Sequence, residues 1–154
     1  AGLDKIPGLN ILADNVRDRL GVISFYVEGI HYNLLVRLLN DRYGIQTRGG
    51  CACAGTYGHF LLEFSYEQSQ EITDKINHGD LSEKPGWVRW SLHPTMTDEE
   101  VHTILRAVRE ITENHREWAK DYVYISRKNE FMHHSQQEEA LEDHLINDWF
   151  KLEP

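Results

Sequence analysis

Hydrophobic positions change period several times along the chain, and each change marks a predicted element. Val22-Ile23-Ser24-Phe25-Tyr26-Val27 is a β-branched and aromatic run between Gly21 and Gly29, which predicts a largely buried strand. From His31 to Tyr43 the period lengthens. Leu34, Leu35, Leu38 and Leu39 recur at helical spacing, and Gly44 stands where a left-handed C-terminal cap is expected. Ile45-Gln46-Thr47-Arg48 resumes an extended pattern, which the Gly49-Gly50 pair is expected to end in a loop. Together these segments predict a strand-helix-strand unit.

Ser65-Tyr66-Glu67-Gln68 has the spacing of a capping box, and Ile72 and Ile76 supply one apolar stripe before Gly79, so a short, mostly solvated helix follows. Trp87-Val88-Arg89-Trp90-Ser91-Leu92 alternates: Val88, Trp90 and Leu92 share the face better suited to the core, and Trp87, Arg89 and Ser91 share the other. Thr97-Asp98-Glu99-Glu100 is a second capping box, with acids at the positive end of the helix dipole. Val101, Ile104, Leu105, Val108 and Ile111 then keep helical spacing and predict a helix packed on the sheet. Tyr122-Val123-Tyr124-Ile125 and Phe131-Met132 flank the polar Arg127-Lys128-Asn129-Glu130, a hairpin pattern. Ser135-Gln136-Gln137-Glu138 opens a closing helix with Leu141, Leu145 and Trp149 on one face. Trp90 is assigned to the sheet core, and Trp118 and Trp149 to helix packing. Trp87 either lines a cleft with Arg89 or packs beneath the polar segment that precedes it. The class is α/β or α+β, with helices on at least one face of a small sheet.

Composition narrows the role. With 154 residues, 40% of them hydrophobic, the chain can bury one sizeable core but not two comfortable domains. Lys and Arg total 16 against 25 Asp and Glu, a formal net charge of -9 that repels nucleic-acid phosphates and anionic lipid surfaces. No apolar run approaches the roughly 20 residues of a membrane span, and no basic segment leads into an apolar one at the start, so the chain reads as soluble. Cys51 and Cys53, two apart, would close a strained ring as a disulfide, which favours a reducing, cytoplasmic setting. The abrupt Ala1-Gly2-Leu3-Asp4 start, without an initiator methionine, is expected of a piece of a longer polypeptide.

Two segments carry candidate chemistry. Gly44 to Gly55 is a strand running into a loop of small side chains, Gly49-Gly50-Cys51-Ala52-Cys53-Ala54-Gly55, which can approach a ligand closely or simply turn the chain. Arg89 offers a guanidinium fork suited to a carboxylate, although a single strand arginine is more often a surface or ion-pair residue. A zinc site built from Cys51, Cys53, His59 and His31 is the first rival. It is disfavoured because structural sites space their cysteines two to four residues apart. His93 and the adjacent His133-His134 read as surface or packed residues, and a non-enzymatic interaction domain is the default alternative.

In order, the strand Val22–Val27, its helix, Gly44-Ile45 running into Arg48-Gly49-Gly50-Cys51-Ala52-Cys53, and Val88-Arg89-Trp90-Ser91-Leu92 before Thr97-Asp98-Glu99-Glu100 resemble the small C-terminal domain of class V aminotransferases and cysteine desulfurases. The resemblance covers about residues 7–113. It implies a two-layer α+β fold with a small mixed sheet, as in fold type I pyridoxal-phosphate enzymes. It also implies a larger preceding domain, whose lysine forms the Schiff base with pyridoxal phosphate, as the principal partner. None of Lys5, Lys75, Lys84, Lys120, Lys128 and Lys151 stands in a context resembling that site. By resemblance Arg89 holds the α-carboxylate of a small amino-acid substrate, Arg48 ends the strand entering the loop, and Cys53 matches the cysteine that accepts sulfur in the desulfurase branch. That branch usually carries bulkier residues, often histidine, before its cysteine. Here Ala52 stands there and Cys51 is a second thiol, so both aminotransferase and sulfur-removing lyase remain open. The expected organisation is a small domain over 1–118, with 57–84 as a polar insertion, and a hairpin-and-helix extension over 119–154 that has no counterpart in the resemblance. The full enzyme is expected to be a homodimer that binds neither nucleic acid nor membrane.

Overall fold

The fold is described from a computed structural model over residues 2–51 and 55–135. Strands β1 (Leu9–Ile11), β2 (Val22–Val27), β3 (Arg48–Gly50) and β4 (Trp87–Ser91) form one sheet in the order β1-β2-β4-β3. Every pairing in it is antiparallel. The helices packed on the sheet make the expected two-layer α+β arrangement, but a mixed sheet was the expectation and the sheet is not mixed. The reason is topological. β2 and β3 do run the same way, as a strand-helix-strand crossover requires, yet β4 inserts between them and is antiparallel to both.

Helix α1 (Tyr32–Tyr43) supplies that crossover, and its stop is the one the sequence announces: Gly44 takes φ 66° and its amide returns to the carbonyls of Asn40 and Leu39. α4 (Asp98–Trp118) begins at a complete capping box between Thr97 and Glu100. Both helices lie on one face of the sheet. Leu35, Leu38 and Leu39 of α1 and Ala107, Val108 and Ile111 of α4 are fully buried with Phe25, Val88 and Trp90 from the strands. Each such large apolar side chain contributes roughly 1.5–3 kcal/mol through burial, before chain entropy is charged against it. Trp118 packs at the core margin, where the Arg42 guanidinium stacks over its ring at 4.1 Å.

The opposite face of the sheet is only partly covered. The polar stretch between β3 and β4 holds α2 (Gly55–Leu61) and α3 (Tyr66–Asn77), the latter capped by the expected Ser65–Gln68 box. α2 was not foreseen, because Gly55, Gly58 and Thr56 are weak helix formers. β1 was also missed, being too short to display a period. The glycine pair corrects another expectation: of the extended stretch 45–48 only Arg48 joins a strand, and Gly49 and Gly50 complete β3, paired with Val88 and Trp87.

The hairpin forms as expected from β5 (Tyr122–Ile125) and β6 (Glu130–His133), and it turns through Asn129, whose φ of 56° is left-handed. Leu141, Leu145 and Trp149 of the expected closing helix lie outside the described residues. Among the described residues no helix is long and apolar enough to cross a membrane.

His31 has an unforeseen part. Its Nδ1 accepts from the Asn33 amide and so caps α1, while its ring stacks on Tyr32 at 4.5 Å and meets Tyr124 and Phe131 of the hairpin. Burial among these rings holds its pKa below the ordinary 6.5. As pH falls, the unfolded chain takes up this proton first. The contribution is therefore present above about pH 6.5 and lost as pH falls through the depressed folded value. Thermal midpoints measured from pH 8 to 5 should fall less for His31→Asn, which keeps a capping acceptor worth about 1 kcal/mol without titrating. An equal fall in both proteins would exclude His31 as a source of acid sensitivity.

Candidate functional site

The open face of the sheet carries two of the sequence candidates, Arg48 and Arg89. Alternation along β4 sends Val88 and Trp90 into the core and Trp87, Arg89 and Ser91 to the other side, as expected. Directly opposed residues in an antiparallel sheet share a face. Ser24 of β2 and Arg48 of β3 both stand opposite Arg89, which makes a row of Ser24, Arg89 and Arg48 across three strands. Arg48 is exposed and Arg89 half-buried. Among the described residues neither has a carboxylate or hydrogen-bond partner, whereas Arg37 is held by Asp41 and Arg42 by Asp121.

Like charges set opposite each other on one sheet face destabilise it. Two adjacent guanidinium forks instead suit a planar anion, which can accept from one in bidentate fashion while the other adds charge. The arrangement is a small positive grip on a chain of net charge -9.

Trp87 forms the neighbouring wall. It is buried beneath α2: a Cβ built on Gly58 would lie 3.3 Å from the indole and 3.6 Å from the Cβ of Cys51. Of the two earlier alternatives for Trp87, packing beneath the polar segment is therefore the observed one. The same contact places Cys51, a half-buried free thiol, between the end of β3 and α2. Cys53 lies outside the described residues.

β3 is held from its core side by α1. A Cβ on Gly49 would stand 2.8 Å from Asn33 Oδ1 and 3.1 Å from both Tyr32 Cδ2 and Val36 Cγ2, so only glycine permits this approach. Gly86, just before β4, meets the same Tyr32 ring, with a built Cβ 2.6 Å from Cζ. Burial holds the Tyr32 phenol above its ordinary pKa, the Asn129 amide works against that rise, and Cys51 adds to it. Tyr32 therefore lies among β3, β4, the hairpin and the thiol loop. Sequence reasoning missed it. The available signal was Gly49 within β3 and Gly86 just before β4.

The histidines named in the rival metal site are otherwise engaged, His31 at the α1 cap and His59 Nδ1 with Ser69 Oγ. Among the described residues no group of three or more His, Cys, Asp or Glu side chains is placed to hold a metal ion.

Compared with known proteins, residues 1–104 match the sequence model of the family described as Aminotransferase class-V. No curated protein matches the chain. Pyridoxal phosphate, the cofactor this family implies, requires an amine that can shed its proton, and the described lysines do not fit. Glu83 and Glu71 hold Lys75 above its ordinary pKa, Lys120 is an exposed partner of Glu117, Lys5 and Lys128 are exposed, and Lys84 lines an open groove between α1 and the hairpin.

If the two arginines serve a ligand and not the fold, Arg48→Met should leave stability unchanged or raise it by about 0.2–1 kcal/mol at low salt. The gain should fade in molar salt, where screening removes the repulsion. Denaturant unfolding at two ionic strengths checks this, and a loss above about 1 kcal/mol would show that Arg48 supports the fold.

Proposed function

This chain belongs to the class-V aminotransferase family, whose members are generally dependent on pyridoxal phosphate, and we propose that it is the substrate-gripping small domain of such an enzyme. The carrying observation is the opposed pair Arg48 and Arg89 on the open sheet face, with no carboxylate partner among the described residues. In this reading Arg89 takes the α-carboxylate of a small amino acid through its fork. Arg48 adds charge from the neighbouring strand, and Ser24 gives the row a neutral edge. Trp87 and α2 keep water from one side of the grip. The cofactor, which supplies an electron sink for the substrate α-carbon, is carried by a lysine on a separate, larger domain. A homodimer in a reducing cytoplasm, where both thiols stay free, suits this role.

Cys53 decides between transamination and sulfur removal. Cys51 is partly closed off against α2, which leaves Cys53 as the better candidate to meet substrate. Positive charge on Arg48, five residues earlier, favours a thiolate there. The experiment uses the enzyme with its lysine-bearing domain and L-cysteine as substrate. L-alanine formation with persulfide on Cys53, and sulfide release once a thiol reductant is added, lost in Cys53→Ala and kept in Cys51→Ala, supports the lyase. Turnover of an amino donor and keto acid without sulfide assigns an aminotransferase in which Cys53 is packing.

Under either chemistry, Arg89→Lys should weaken substrate binding by about 1.5–3 kcal/mol, the range for a charge-assisted hydrogen bond. That is roughly a 10- to 150-fold rise in KM with a smaller change in kcat. Kinetics indistinguishable from the unaltered enzyme would remove Arg89 from the site.

A further inference from the structure

The hairpin of β5 and β6 lies wholly beyond the family-matched residues 1–104, yet its tip reaches the first turn of α1. Asn129 makes the contact two ways, and a third bond braces it within the hairpin. Its backbone carbonyl accepts from Asn33 Nδ2, its side-chain amide donates to the Tyr32 hydroxyl at 2.6 Å, and its Oδ1 accepts from the Tyr124 hydroxyl at 2.9 Å. Its left-handed φ of 56° is a conformation that asparagine tolerates and most residues do not. The two α1 residues it holds, Tyr32 and Asn33, are two of the three whose side chains press on Gly49 of β3, and the Tyr32 ring also presses on Gly86 before β4. Gly49 adjoins Arg48, and Gly86 is three residues from Arg89.

We propose that Asn129 is a positioning residue for the arginine pair: by fixing Tyr32 and Asn33 against Gly49 and Gly86, it sets how β3 and β4 present Arg48 and Arg89. This rests on the reading of those arginines as a carboxylate grip. Asn129 touches no substrate; it acts through α1. The hairpin is then a buttress added outside the matched stretch. Tyr32, in contact with the hairpin on one side and sensitive to Cys51 on the other, is its transmitting side chain.

The test uses the isotope-labelled chain and amide NMR. Asn129→Gly keeps the left-handed backbone and the carbonyl that Asn33 uses but deletes both side-chain bonds, and Asn129→Asp keeps the acceptor for Tyr124 but loses the donor to Tyr32. Both should shift the amides of Arg48 to Gly50 and speed their hydrogen exchange at least about tenfold, with β1 and β2 changed by less than about twofold. Tyr32→Phe should reproduce the pattern, and combining it with Asn129→Gly should add little, because both remove the bond between Asn129 and Tyr32. Titration with L-alanine, followed at the Arg48 and Arg89 side-chain nitrogens, should give several-fold weaker binding in each variant. Exchange and shifts at β3 that match the unaltered protein, or that change no more than those of β1 and β2, would overturn the role of Asn129 whatever the titration gives. Absence of any L-alanine effect on the unaltered arginines would instead sink the carboxylate reading, while the β3 amides still decide whether Asn129 positions them.

Discussion

Gly49 and Gly86 let the first turn of α1 approach the sheet more closely than any side chain would permit, and the placement of both arginine-bearing strands follows from that contact. β3 is only Arg48–Gly50 and forms an edge of the sheet, so its own ladder fixes it weakly. What holds it is β4 on one side and Tyr32, Asn33 and Val36 on its core face. α1 is in turn anchored by the deeply buried Leu35, Leu38 and Leu39 against α4 and the strands. The hydrophobic core thus reaches the arginine row through a helix whose outer end is held by polar contacts with His31 and Asn129.

The two faces of the sheet divide the work. The face toward α1 and α4 carries Phe25, Val88 and Trp90 and supplies most of the buried apolar area. The other face keeps polar and charged residues along its middle and buries only Trp87 deeply. Strand alternation produces this division automatically, because a residue shifted by one position would change faces. A charged row on one side therefore costs the core nothing. Its own cost is the repulsion between Arg48 and Arg89, which an anion in the grip would remove.

Much of this architecture was legible in the sequence because the signals are local. The Leu34–Leu39 period, Gly44, and the boxes at Ser65 and Thr97 each encode an element in a few residues, and each formed as read. The face assignment of Val88 and Trp90 followed from period-two alternation. What stayed hidden was set by contacts distant in sequence. The opposition of Arg48 and Arg89 depends on β4 inserting beside β3, and no local pattern encodes that register. The glycine pair was read as a turn because its steric reason, the side chains of α1, lies more than ten residues earlier in the sequence. α2 formed against its intrinsic propensity, and the helix packs on Trp87 where an unstructured loop would leave the indole exposed.

The acidic balance of the chain bears on how selective such a grip can be. A net charge of -9 opposes the approach of anions in general, so free carboxylates gain little from the long-range field. On the proposed reading, binding comes from short-range hydrogen bonding at Arg48 and Arg89, where geometry decides the outcome. The Arg89 backbone is held on both sides by β2 and β3, so the point from which its fork reaches out is fixed. Small changes in the spacing of those strands therefore alter which carboxylates both guanidinium groups can reach together, and that spacing is set on the far side of the sheet by α1.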